Sequence, residues 1–142
     1  MKREAAGFIL YKDDGHYLLL RSARNQEWGF PKGHRDPEDP DLMTTALREL
    51  EEETGISQNH ISVDPSFESI LEYQVKQGVR GGKAYDKRVV YMLASCPSDT
   101  KVALSEEHDQ YQWCELKQAK EMLPFPELAD CLEQAETQRT KH

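Results

Sequence analysis

No apolar run in this 142-residue chain approaches the roughly 20 residues that a membrane span requires. The longest run near the N-terminus, Ala5 to Tyr11, is not followed by a small-residue cleavage pattern, so a secretory leader is not expected. Cysteine is scarce. Cys96, Cys114 and Cys131 are an odd number without metal-ligand spacing, and they read as reduced thiols of a cytoplasmic protein. Basic charge is also in deficit, with 18 Lys and Arg against 26 Asp and Glu, a formal net charge of −8. That balance argues against a protein that holds nucleic acid on a broad basic surface. It leaves room for a small anionic molecule whose charge is met locally by a metal ion. There is no internal repeat and no low-complexity tract. With 37% hydrophobic residues, the chain is expected to fold as one domain over 1–142, with 139–142 as a frayed tail.

What is present is a regular alternation of elements. Glu4 to Tyr11 reads as a buried strand, Asp13-Asp14-Gly15 as a turn, and His16 to Arg21 as the returning strand of a hairpin. From Ser22 to Glu38 the chain is rich in Gly, Pro, Asn and charge, the mark of a long functional loop. A helix follows. Asp39 is expected to cap it, Pro40 to take its first position, and Asp41 to favour the positive end of its dipole. Leu42, Met43, Ala46, Leu47 and Leu50 form its apolar stripe, and Gly55 ends it. Further strands are predicted at Phe67–Lys76, Arg88–Ser95 and Gln110–Cys114, with a basic loop over Gly78–Lys87. Helices are predicted at Leu116–Leu123 and Glu127–Gln138, broken by Pro124-Phe125-Pro126. Mixed strands with one central and two late helices imply an α+β or α/β sandwich.

The chemistry is concentrated in Arg48-Glu49-Leu50-Glu51-Glu52-Glu53-Thr54-Gly55. On a helix, Glu49, Glu52 and Glu53 share one face at the border of the apolar stripe, while Glu51 points elsewhere. Like charges so placed repel, more so when partly buried. A divalent cation removes the conflict, and hard carboxylate oxygens suit Mg²⁺ or Mn²⁺. Arg48 lies one turn from Glu52 and can pair with it.

The preceding loop reads Trp28-Gly29-Phe30-Pro31-Lys32-Gly33-His34. Loop, capped helix and carboxylate face together resemble the Nudix hydrolase signature: Gly, five residues, Glu, seven residues, then Arg-Glu-apolar-any-Glu-Glu-any-Gly-apolar. The second half is complete here from Arg48 to Ile56. The first half departs. Asp39 stands where the pattern has Glu, and Gly33 to Arg48 spans 15 positions where the pattern has 14. The runs Ala5-Ala6-Gly7, Leu18-Leu19-Leu20, Tyr91 to Ala94 and Leu104-Ser105-Glu106-Glu107-His108, with the Trp113 strand, look like the Nudix enzymes that cleave dinucleoside polyphosphates.

The resemblance implies an α/β fold, an α/β/α sandwich around a mixed β-sheet. It also implies metal-dependent hydrolysis of a phosphoanhydride in a small nucleotide, with Mg²⁺ as cofactor and Mn²⁺ as a substitute. Gly33, through its carbonyl, and Glu49, Glu52, Glu53 and Glu107 are the implied metal ligands. Glu53 is favoured as the catalytic base, beside Glu52 and with Arg48 as orienting residue. Lys32, Lys83, Lys87, Arg21 and His34 are the implied phosphate contacts, with Arg24 leading into the same loop. Tyr73 and Phe125 would sandwich the base, and Trp28 would help to shape the pocket. A Nudix enzyme of RNA 5′ ends or of diphosphoinositol phosphates, and a Nudix-fold binding module without turnover, are the competing expectations.

Overall fold

The structure, a computed structural model, describes residues 2–75 and 85–141. Seven strands form one mixed sheet: β1 (Lys2–Lys12), β2 (Tyr17–Ser22), β3 (Trp28–Gly29), β4 (Lys32–His34), β5 (Ser62–Val75), β6 (Tyr85–Cys96) and β7 (His108–Cys114). Helix α1 (Leu42–Thr54) follows β4, and α2 (Leu116–Met122) and α3 (Pro126–Arg139) close the chain. The strand order is β3-β2-β1-β6-β5, with β4 also paired to β1 and β7 to β2. β1 and β6 run parallel from Lys2↔Asp86 to Lys12↔Cys96, and the other pairings are antiparallel. The β5–β6 register shifts between Asp64 and Ser69, around Pro65, which has no N–H to give to a ladder.

Strand alternation sorts β1 onto two cores. Ala5 and Ile9 pack with Leu19, Tyr91, Leu93, Cys131, Leu132 and Ala135 on the α2/α3 face. Ala6, Phe8 and Leu10 pack with Ala46, Leu50, Val90 and Met92 on the α1 face. The result is the α/β/α sandwich implied above. The helix stripe is as read, with Ala46 and Leu50 buried and Leu42, Met43 and Leu47 packed against them. All three cysteines are buried and free. No helix among the described residues is long and apolar enough to cross a membrane.

Three local readings change. The cap of α1 is Asp41, whose carboxylate accepts from the Thr44 N–H at 2.8 Å, not Asp39, and Pro40 lies outside the helix. Asp39 is buried and serves elsewhere. Hydrogen bonds hold Arg139 and Thr140 at the end of α3, within the stretch expected to fray. Arg139 Nε donates to the Tyr17 hydroxyl at 3.0 Å and to Glu136 at 2.9 Å, and the Thr140 N–H donates to the Glu136 carbonyl at 3.2 Å. Finally, the basic loop over Gly78–Lys87 falls largely on residues outside the described ones, and Tyr85, Asp86 and Lys87 belong to β6.

Candidate active site

Helix α1 ends on Gly55, whose φ of 75° is the left-handed cap conformation, and its N–H donates to the Glu51 carbonyl at 2.8 Å. That last turn carries the carboxylates to the edge of the sheet. Glu53 is only 3% exposed, and its Oε1 accepts from the Lys32 N–H of β4 at 3.1 Å. Glu49 packs against the same strand. A side chain at Gly33 would fall on its carboxylate, so any residue larger than glycine there must displace Glu49.

Glu49 and Glu53 lie side by side, and both carboxyls are shifted upward, each by burial first. Burial is the first cause at Glu53, followed by the neighbouring Glu49 carboxyl, and together with Glu107 they push it up to about 9. Burial and mutual repulsion thus disfavour two negative charges here at once. Arg48 spans the rest of the face. Its Nη1 donates to Glu49 Oε2 at 2.9 Å and to Glu52 Oε1 at 3.3 Å. Its Nη2 donates to Asp39 Oδ2 at 2.9 Å and to the His34 carbonyl at 3.2 Å.

Among the described residues, no three acidic, His or Cys side chains are gathered as a ready coordination shell. Glu49 and Glu53 converge, whereas Glu52 is 57% exposed and turned toward Arg48. The donors nevertheless fit a hard divalent cation in kind. They are carboxylate oxygens beside the Gly33 backbone, and the upward shift of both Glu49 and Glu53 marks a place that favours added positive charge.

A cavity of about 570 Å³ opens on the α2/α3 side. Glu53, Lys32, Glu107 and His108 line one part of it, and Trp28, Leu71, Tyr73, Phe125 and Leu128 supply apolar wall. Tyr73 and Phe125 are 46% and 54% exposed, which leaves their ring faces free for a ligand.

A NUDIX domain model matches residues 1–133. The chain belongs to the Nudix family. It is 35% identical over 120 residues to the asymmetrical bis(5′-nucleosyl)-tetraphosphatase of Mus musculus, covering 83% of this chain and 76% of that one. The protein of the same name from Caenorhabditis elegans is 32% identical over 133 residues, 91% of each chain. A crystal structure of a C. elegans Ap4A hydrolase binary complex superimposes with a TM-score of 0.88 at 30% identity, covering 99% of each chain.

The Nudix helix and loop thus bring Gly33, Glu49, Glu53 and Arg48 together, with Glu52 alongside. Lys32 and Glu107 join them at the cavity. Lys87 and His34 are not on the cavity wall, but they share one field of positive charge with Lys32 and Arg3. Burial first, then Lys32 and Arg3, push the Lys87 ammonium down to about 8. The His34 imidazole is lowered by desolvation and by the same cations. Lys83 lies outside the described residues. Arg21 does not reach the cavity wall, because it is committed to Asp109, with Nε 3.0 Å from Oδ1 and Nη2 3.1 Å from Oδ2. Arg24 is exposed and also off the wall.

Sequence reasoning missed the Asp39 contact to Arg48 and the carboxylates of Glu27, Glu72 and Glu127 on the cavity wall. Glu127 was findable as the acidic residue of the first turn of α3, directly after Phe125 and Pro126.

Proposed function

We propose that the protein hydrolyses dinucleoside polyphosphates such as diadenosine tetraphosphate, cutting off the symmetric centre to give ATP and AMP, with Mg²⁺ as working metal and Mn²⁺ as a substitute. One observation carries the reading. The buried Glu53 carboxylate, Lys32 and two exposed aromatic rings, Tyr73 and Phe125, line the same cavity. A phosphate chain suits the charged part and a nucleobase the aromatic part. The mouse and worm relatives, named as tetraphosphatases of this substrate class, support it.

In this reading Glu49, Glu52, Glu53 and Glu107, with the Gly33 carbonyl, hold the metal. A divalent cation there supplies Lewis acidity toward the phosphoryl oxygens and the attacking water. Glu53 accepts the proton of that water. Its carboxylate is buried and fixed by the Lys32 N–H, so it is held in one geometry at the end of the charged wall. Arg48 orients Glu49 and Glu52. Lys32, Lys87, Lys83 and His34 meet the charge of the phosphate chain, and Tyr73 and Phe125 stack on one base. Arg21 is left out of this set by its pair with Asp109. The whole chain acts as a single domain on a small nucleotide in the cytoplasm. The acidic side chains Glu27 and Glu127 on the cavity wall disfavour a long nucleic-acid strand there.

The test is incubation with Mg²⁺ and a panel of dinucleoside polyphosphates, triphosphorylated and capped RNA, and diphosphoinositol phosphates, with products separated by chromatography. ATP plus AMP from diadenosine tetraphosphate is the expected result. Turnover of RNA ends or inositol substrates alone would replace the substrate assignment. No turnover of any substrate, with metal bound, would leave a binding module. Reaction in ¹⁸O water is expected to label AMP, and label in ATP would move the site of attack.

A further inference from the structure

The Nudix pattern has a glutamate where this chain has Asp39, which is one methylene shorter, and this chain places one extra residue between that position and Arg48. The contact to Arg48 is made all the same, at 2.9 Å. The structure shows what holds Asp39, beginning with the Thr45 hydroxyl, which donates to Asp39 Oδ2 at 2.8 Å. Within the turn, the Asp39 N–H donates to the Asp36 carbonyl at 3.0 Å, and the Asp36 N–H donates to Asp39 Oδ2 at 3.0 Å. Arg35 clamps the turn from outside. Its Nε and Nη2 donate to the Asp39 carbonyl at 3.3 and 3.1 Å, and Nη2 donates to the Pro40 carbonyl at 3.2 Å. Its Nη1 donates to Glu4 Oε1 on β1 at 3.1 Å. Glu4 is itself fixed, because its Oε2 accepts from Arg88 Nη1 of β6 at 3.2 Å and its carbonyl from the Arg35 N–H at 2.9 Å. A planar guanidinium can serve two carbonyls and a carboxylate at once, which an ammonium on a flexible stem does less well.

We propose that Arg35 is a positioning residue for the metal-binding carboxylates. It ties the 36–41 turn to β1 through Glu4, so sets the reach of Asp39 to Arg48, and through Arg48 the placement of Glu49 and Glu52. This rests on the reading of those glutamates as metal ligands. Loss of Arg35 leaves every ligand in the chain and lets the turn drift, so metal affinity falls before the fold does.

The experiment measures Mn²⁺ binding to the full chain without substrate, by electron paramagnetic resonance, well below the melting temperature. Arg35→Ala is expected to weaken binding by about three- to tenfold, at or below the low end of what loss of an outer-sphere partner costs. Arg35→Lys recovers part of it. With Asp39→Asn already present, Arg35→Ala adds less than about twofold, because both act on the same link. Under saturating metal, the KM for substrate stays within about twofold, since Arg35 is not on the cavity wall. Should Arg35→Ala fail to fold, Glu4→Gln removes the charged anchor of the fork, and a smaller loss of the same sign is expected. Unchanged Mn²⁺ affinity in folded variants, or full additivity with Asp39→Asn, overturns the proposal. A wild-type chain that binds Mn²⁺ but cleaves no dinucleoside polyphosphate overturns the substrate reading and leaves the Arg35 comparison decisive. A wild-type chain that binds no Mn²⁺ overturns both.

Discussion

Arg48 Nη2 donates to Asp39 Oδ2 at 2.9 Å, while Nη1 of the same guanidinium donates to Glu49 Oε2, also at 2.9 Å. One rigid fork thus joins the turn before α1 to the carboxylate face on it. Asp39 cannot cap the helix because its carboxylate is consumed by Arg48, by the Asp36 N–H and by the Thr45 hydroxyl at 2.8 Å, so capping passes to Asp41.

Asp39→Asn keeps the shape of that side chain and removes its charge. The half-saturating Mg²⁺ concentration is expected to rise about tenfold, in the range typical for a partner behind a metal ligand. Metal titration of the reaction rate reads this directly. The Arg48 guanidinium first, then the Asp36 N–H and the Thr45 hydroxyl, hold the Asp39 carboxyl well below the usual carboxylate range. A carboxyl depressed in the folded state contributes stability above its unfolded pKa of about 3.9 and loses it as pH falls further. The wild-type melting temperature should therefore drop steeply below about pH 4, and that of Asp39→Asn less steeply. Parallel acid profiles for the two proteins would refute the pairing.

Glu53→Gln tests the buried proton as well as the base. Turnover is expected to fall about a thousandfold, within the span of general-base losses, with the fold intact. In the metal-free protein Glu53 is held at about 9 by burial and by Glu49, against about 4.3 in an unfolded chain. Between those values the folded state keeps a proton that the unfolded state has lost, so stability falls as pH rises through the window. A divalent cation compensates the ionised pair. Mg²⁺ should therefore raise the melting temperature more at about pH 8.5 than at about pH 5.5, and its binding should release a proton. Glutamine cannot ionise, and its profile should be flatter. Differential scanning fluorimetry across pH, with and without Mg²⁺, measures all three. A wild-type profile that climbs with pH would remove the raised Glu53 carboxyl from the account.

Tyr73 and Phe125 lie on β5 and just before α3, and both rings are about half exposed on one cavity. If they sandwich a base, Phe125→Ala should raise KM by about five- to a hundredfold, since base–aromatic stacking is worth about 1–3 kcal/mol. The value of kcat at saturation should change far less, because base stacking binds substrate and transition state alike. Tyr73→Ala should act in the same direction. The melting temperature should move little in either variant, because so much of each ring is already in water. A lowered kcat with unchanged KM would place the base elsewhere.

The parts of this architecture written in local periodicity were legible. The α1 stripe of Ala46 and Leu50 has helical spacing, and β1 alternates Ala5 and Ile9 against Ala6, Phe8 and Leu10, so helix, strand and core faces could be read from neighbours in sequence. The carboxylate face followed from the same spacing. What stayed hidden depends on distant partners. Asp39 and Asp41 are equally good caps on paper, and only Arg48 separates them. Arg21 looks like a free cation beside a loop until β7 brings Asp109 against it. Nothing in residues 139–142 announces that Tyr17 will pin Arg139. The meeting of Tyr73 with Phe125 on one cavity came from family resemblance, since no local pattern joins β5 to the start of α3.

Gly33→Ala is the most local test of the metal face. A methyl group at that position would fall within the Glu49 carboxylate. Glu49 is pinned from the other side by Arg48, so the methyl must displace the carboxylate or push β4 off β1 at the Ala6↔Gly33 pair. Either response separates the Glu49 and Glu53 oxygens from the Gly33 carbonyl. Misplacing reacting or ligand atoms by about 1 Å costs on the order of a hundredfold in rate. Turnover is therefore expected to fall by at least about that factor, and Mn²⁺ binding to weaken with it, while far-UV circular dichroism stays that of the wild type. Glu49→Ala in the Gly33→Ala background relieves the collision. It should restore any lost thermal stability without restoring turnover, which separates a steric effect on the fold from the loss of a ligand. Normal turnover in Gly33→Ala would show that the carboxylate can move aside at no cost, and would take Glu49 out of the metal site.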